Sequence, residues 1–182
     1  MTEKEILIRF IAALSVFYEN DKSLLDSNAS ERSMTHGLAV YLKDLFPNYN
    51  VDCEYNREGK DGNQKKLAYQ ESGCLNYVNK EVYPDIIVHT RGEKENILVI
   101  EAKKSSGNQS KDYAKLRAFT ESEKYGYTLG IGFRFKKKLN DTIQSIKLFP
   151  EENDKIKQLE ECLKFMIFGN EKCTQRKLHV QK

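Results

Sequence analysis

The 182-residue sequence has no tryptophan, only 3 prolines and 3 methionines, and no cysteine pair at CxxC spacing. Its 4 cysteines, Cys53, Cys74, Cys162 and Cys173, are scattered, as are His36, His89 and His179. That spacing excludes a zinc finger or ribbon and leaves reduced thiols as the expectation. The apolar stretch from Ile6 to Tyr18 is broken by Arg9 and falls short of the roughly 20 residues a membrane span needs. The opening Met1-Thr2-Glu3-Lys4-Glu5 lacks the basic flank of a secretory signal, so the expected location is cytoplasmic, with no membrane partner. An excess of one charge is missing too. With 30 basic and 27 acidic residues the net charge is +3, which neither demands nor excludes a nucleic-acid partner.

What is present is a chain 39% hydrophobic, rich in tyrosine and phenylalanine, sufficient for one compact domain over residues 1–182. Apolar residues at helical spacing predict a helix from Glu3 to Tyr18, with Leu7, Ile11, Leu14 and Phe17 on one face. A second helix is predicted from an Asn28 N-cap to just before Pro47, its inward face Met34, Leu38, Leu42 and Leu45. Asn50 to Tyr55 reads as a short strand, and the Gly-, Asn- and Lys-rich stretch from Asn56 to Lys80 as a long loop or a small insertion. Two apolar strands follow, Tyr83 to His89 and Ile97 to Ala102. The turn-like Arg91-Gly92-Glu93-Lys94 between them predicts an antiparallel hairpin. Ser110 to Lys124 is predicted helical. Tyr127 to Phe135 reads as a strand whose glycines signal close packing. A strand over Thr142 to Leu148 and a helix over Glu152 to Phe168 complete the order.

Chemistry concentrates on the hairpin. Strand alternation puts Glu101 and Lys103 on one face and Ala102 on the other. In a hairpin turning near Gly92, Asp85 lies at the same end as Glu101. Two carboxylates brought together there repel each other and are costly to bury unless a cation binds between them. Oxygen ligands of this kind suit Mg²⁺ or Mn²⁺. A lysine beside the pair can orient or deprotonate a water, or stabilise charge growing on a phosphate. His89 shares the face of Asp85 but lies about 13 Å along the strand, too far to share an ion, and is expected to be structural or on the surface.

Pro84-Asp85 opening one apolar strand and Glu101-Ala102-Lys103 closing the next resembles the PD-(D/E)XK, restriction-endonuclease-like nuclease superfamily. The stretch Val51 to Arg57 adds a likeness to uncharacterised bacterial members. The resemblance covers about residues 28–135. It implies an α/β fold with an αβββαβ core, a mixed central sheet flanked by helices, and extra helices at both ends. It also implies a metal-dependent nuclease, with Asp85, Glu101 and Lys103 catalytic and Asp85 and Glu101 holding Mg²⁺ or Mn²⁺. Many members place a further acidic residue on the helix before the sheet, and Glu31 is the matching candidate, catalytic and metal-binding. At about 100° per residue Glu31 lies within roughly 20° of Leu38 and Leu42, on the inward face. Its spacing from Asn28 equally suits a capping box.

The resemblance further nominates Lys104, Gln109 and Lys115 as nucleic-acid contacts. Between Lys103 and Lys138 there are 10 basic residues and 3 acidic ones, a local excess that favours phosphate backbones. Lys65 and Lys66 are placed in the long loop, within reach of a duplex. The leading expectation is a nuclease acting on DNA, as a homodimer or with a protein partner supplying specificity. The alternative is a nucleic-acid or protein binding module without turnover.

Overall fold

The computed structural model describes residues 1–70, 77–104 and 107–165. Helix α1 (Glu3–Asn20) starts from a capping box in which Thr2 and Glu5 satisfy each other's backbone N–H. It buries Ile6, Phe10, Leu14 and Phe17. A short helix α2 (Lys22–Asp26) and then α3 (Glu31–Leu45) follow, α3 burying Met34, Leu38 and Leu42.

Five strands form one mixed sheet: β1 (Asn50–Cys53), β6 (Ile86–His89), β7 (Asn96–Lys104), β8 (Leu129–Phe135) and β9 (Lys147–Phe149), in that spatial order. Strands β6 and β7 are the expected antiparallel hairpin, Ile86 opposite Ile100 and Ile87 opposite Val99. Strand β8 runs parallel to β7, and the connection between them carries α4 (Ser110–Glu121). A parallel pair needs such a crossover.

Alternation along β7 divides its side chains between two cores. Leu98, Ile100 and Ala102 join the core formed with α1 and α3. Val99 joins Ile87, Leu116, Phe119 and Tyr127 beneath α4. A sheet buried on both faces accounts for the unbroken apolar runs of β6 and β7. Gly132 on β8 is where α4 comes closest: a Cβ there would stand 2.7 Å from Tyr113 Cε1.

The sequence left one segment open and misassigned two. The described part of residues 56–80 is the small insertion and not the long loop. It carries two small antiparallel pairs, β2 (Arg57–Glu58) with β3 (Asn63–Gln64), and β4 (Lys66–Gln70) with β5 (Tyr77–Glu81). The second helix is capped by Ser30. Asn28 takes a left-handed φ of 56° in the turn after α2, so the Asn28–Glu31 capping box does not form. The strand expected from Thr142 is instead the helix α5 (Leu139–Gln144) followed by β9. Residues 154–165 are helical as expected, and positions 166–168 of the expected span lie outside the described residues. Among the described residues no helix is long and apolar enough to cross a membrane.

Candidate functional site

Asp85 stands immediately before β6, and its Oδ2 accepts the Ala102 N–H at 2.7 Å. This bond fastens the start of β6 to the Glu101-Ala102-Lys103 segment of β7. The two sequence motifs thus meet at one end of the hairpin. Burial pushes the Asp85 carboxyl up to about 6, against the Ala102 N–H and the fields of Lys103 and Lys115, with Glu31 adding to the rise.

Glu101 is 1% exposed and faces α4, where Lys115 Nζ lies 2.7 Å from its Oε2. Its Oε1 is buried without a hydrogen-bond partner. Burial raises the Glu101 carboxyl to about 8; Lys115 opposes the rise, and Asp85 and Asp112 reinforce it.

Two further carboxylates join the pair through lysines. Lys103 Nζ donates to Glu31 Oε1 at 3.0 Å and lies 3.5 Å from Asp112 Oδ2. Lys115 Nζ reaches Asp112 Oδ1 at 3.2 Å. Glu31, Lys103, Asp112, Lys115 and Glu101 therefore form a chain of alternating charge across α3, β7 and α4. Burial alone would lower the Lys103 ammonium. The Glu31 hydrogen bond and the charges of Asp112 and Asp85 outweigh it, and Lys103 is held above the usual lysine range. Lys103 is therefore a cation throughout the neutral range.

Glu31 sits at the first position of α3, facing inward as its angular spacing implied. Its Oε1 takes the Lys103 ammonium and its Oε2 the Lys104 backbone N–H at 3.0 Å. In this arrangement it positions the lysines. Lys104 Nζ donates to the Asn28 and Ala29 carbonyls, each at 3.0 Å, closing the turn before α3. Gln109 is turned inward: its amide donates to Phe133 O and accepts from Tyr113 OH, both at 3.0 Å. Lys104, Gln109 and Lys115 thus spend their polar groups on the protein itself.

Asp112, 5% exposed, is the member that the sequence reading missed. Its pairing with Lys115 at i,i+3 was the local signal available. His89 is structural as expected, buried with a ring nitrogen 2.9 Å from Asp52 Oδ2. Lys65 does not reach outward from a loop. It is 2% exposed, because the β2–β3 pair folds it back against the sheet.

A divalent cation can be tested against this donor set. Among the described residues Glu31, Asp85, Glu101 and Asp112 stand against the two ammoniums of Lys103 and Lys115; with all four ionised two negative charges would be uncompensated, and burial together with that excess holds the Glu101 and Asp85 carboxyls high. The bare buried Glu101 Oε1 offers an oxygen at that place. Asp85 and Glu101 carry oxygen donors of the kind that Mg²⁺ and Mn²⁺ take. Among the described residues no group of three or more His, Cys, Asp or Glu side chains converges as a ready metal cage. No family model, no curated protein and no solved structure matches the chain.

Proposed function

We propose that the chain is a divalent-cation-dependent nuclease hydrolysing phosphodiester bonds in DNA, on a restriction-endonuclease-like fold. The observation that carries this reading is the joining of the two motifs: Asp85, fixed by the Ala102 N–H, beside the buried and under-compensated Glu101. The order α3, β1, β6, β7, α4, β8 supports the fold reading, since it follows the αβββαβ pattern when the small hairpins are set aside.

Asp85 and Glu101 would hold the cation, which when bound supplies Lewis-acid polarisation of a phosphate and a water of lowered pKa. Glu31 would join them only by exchanging its contact with Lys103. The residues of the chain have separable tasks. Lys103, kept protonated by Glu31 and Asp112, offers positive charge to the pentavalent phosphate and does not accept a proton from water. Lys115 holds Glu101 in place and limits repulsion between Glu101 and Asp85. Asp112 positions both lysines. Arg134 and the lysines at 136–138, at the end of β8 beside Lys103 and Lys104 of β7, would supply positive charge for a polyanionic substrate.

A second reading has its own observation. The carboxylates are interleaved with lysines at 2.7–3.5 Å, an arrangement that also suits a non-catalytic nucleic-acid or protein binding module stabilised by a buried charge network. A plasmid-nicking assay separates the two. The nuclease reading expects cleavage with Mg²⁺ or Mn²⁺, none with EDTA, and loss in Asp85→Ala and Lys103→Ala. Salt-sensitive DNA binding without cleavage under either metal establishes the module and refutes the enzyme.

A further inference from the structure

A second cluster of chemistry lies on the same face of the sheet, at the opposite end of β6 from Asp85. A cavity of about 340 Å³ opens there between the β2–β3 pair and the turn joining β6 to β7, within the ~300–1,000 Å³ range of small-molecule sites. Lys65 lines it, 2% exposed. Its Nζ lies 5.6–5.8 Å from the ring centroids of Tyr55, Tyr125 and Tyr127, and donates to Tyr127 OH at 3.2 Å.

An ammonium has three donors, and among the described residues Lys65 has one hydrogen-bond acceptor, Tyr127 OH. Among the described residues no carboxylate lies within ion-pair distance of it. Asp52, the half-buried acid nearby, is committed to His89 and Arg91. A buried cation without an anion is costly, and burial pushes the Lys65 ammonium down to about 8 against the fields of Glu58 and Asp52. The aromatic faces offset part of that cost. They leave the donors facing no negative oxygen.

Three other features of the cavity are complementary to one kind of ligand. Arg57, Lys94 and Lys124 line it as well, against Glu58 and Glu93; with Lys65 the excess is two positive charges. The rings of Tyr55 and Tyr125 give it planar apolar walls. Glu58 is held by Lys124 at 2.6 Å through Oε1, while its Oε2 is buried without a hydrogen-bond partner. The cavity therefore asks for a dianion, a flat ring and an N–H donor in one small molecule.

We propose that this cavity is a binding site for a nucleoside monophosphate. The phosphate meets Lys65 and the basic residues of the lining, the base lies against Tyr55 or Tyr125, and a base N–H donates to Glu58 Oε2. The same group occurs as a free nucleotide or as the phosphorylated end of a nucleic-acid strand. The site is independent of the metal-site reading, sharing no residue with it.

The test is isothermal titration of the full chain in EDTA, so that no cleavage intervenes, with two sets of probes. One is the four 5′-mononucleotides; the other is a short 5′-phosphorylated oligonucleotide and its unphosphorylated form. Tighter binding of a mononucleotide assigns the site to free nucleotides. Tighter binding of the phosphorylated oligonucleotide, lost without its phosphate, assigns it to strand ends.

Lys65→Met fills the tyrosine cage at similar volume and is expected to weaken binding about tenfold or more, since a charged hydrogen bond is removed. Lys124→Ala, at an exposed position, is expected to weaken it several-fold. The proposal is overturned if no probe gives saturable heat at millimolar concentration. It is equally overturned if binding is unchanged in Lys124→Ala and in a folded Lys65→Met.

Discussion

Glu101→Gln removes the most deeply buried charge of the candidate site while keeping its shape, and the structure fixes how the stability of the protein should respond. The folded Glu101 carboxyl titrates near 8, against an ordinary value of 4.5. Between these values the folded chain binds a proton that the unfolded chain has lost. Stability is therefore full below about pH 4.5 and falls as pH rises towards 8. At roughly 1.4 kcal/mol for each pH unit, the whole interval is worth on the order of 5 kcal/mol.

Asp85 contributes in the same direction, but only between 3.8 and about 6. Lys65 acts above about 8 with the opposite sign. The window from pH 6 to pH 8 thus isolates Glu101, and wild type should lose on the order of 3 kcal/mol across it. A glutamine there has no proton to lose, so the variant should be nearly flat over the same window. Its amide keeps an acceptor for Lys115 but leaves one buried N–H group unpartnered, a pH-independent cost of about 1–3 kcal/mol. The assay is urea unfolding by circular dichroism at pH 6, 7 and 8 in EDTA. A wild-type loss over this window that persists undiminished in Glu101→Gln would refute the reasoning.

Lys65→Met should act at higher pH. The Lys65 ammonium, pushed down to about 8 from 10.5, should add on the order of 3 kcal/mol of stability between these values, while the Cys53 thiol, pushed up to about 11, subtracts above pH 9. The variant, measured by the same unfolding curves at pH 8 to 10, should lack that rise. Gly132→Ala places a methyl 2.7 Å from Tyr113 Cε1 and 3.1 Å from Leu116 Cδ1; urea unfolding should show a loss of about 1–3 kcal/mol from overpacking. Asp112→Asn removes a shared anion from Lys103 and Lys115, and should reduce DNA nicking while leaving Glu31 on Lys103; unchanged nicking rates would remove Asp112 from the site.

Much of the fold could be read from the chain because its signals are local. The apolar runs at 86–89 and 97–102 and the intervening Gly92, with its φ of 77°, announced the β6–β7 hairpin. Hairpin geometry then placed Asp85 beside Glu101. Glu31 was legible from its angle on the helix. The region 56–80 was not, because β2 and β3 are two residues each and polar. The alternation in β4, where Leu67 and Tyr69 are buried between exposed neighbours, spans only five residues. The burial of Lys65 depends on Tyr125 and Tyr127, about 60 positions away, and no local pattern carries that. Asp112 was missed for a related reason: the lysine it shares with Glu31 belongs to β7, and they meet only once α4 lies over the sheet. Asn28 looked like a helix cap, yet the end of α2 uses it in the left-handed turn, and Ser30 caps α3 instead.

The central claim is that Asp85 and Glu101 together form a divalent-cation site. Isothermal titration of Mn²⁺ into the metal-free chain at pH 7 tests it most directly. Saturable binding of one Mn²⁺ per chain is expected in wild type, abolished in Asp85→Ala and in Glu101→Gln while both variants remain folded. Absence of Mn²⁺ binding in wild type, or equal binding in all three proteins, would contradict it.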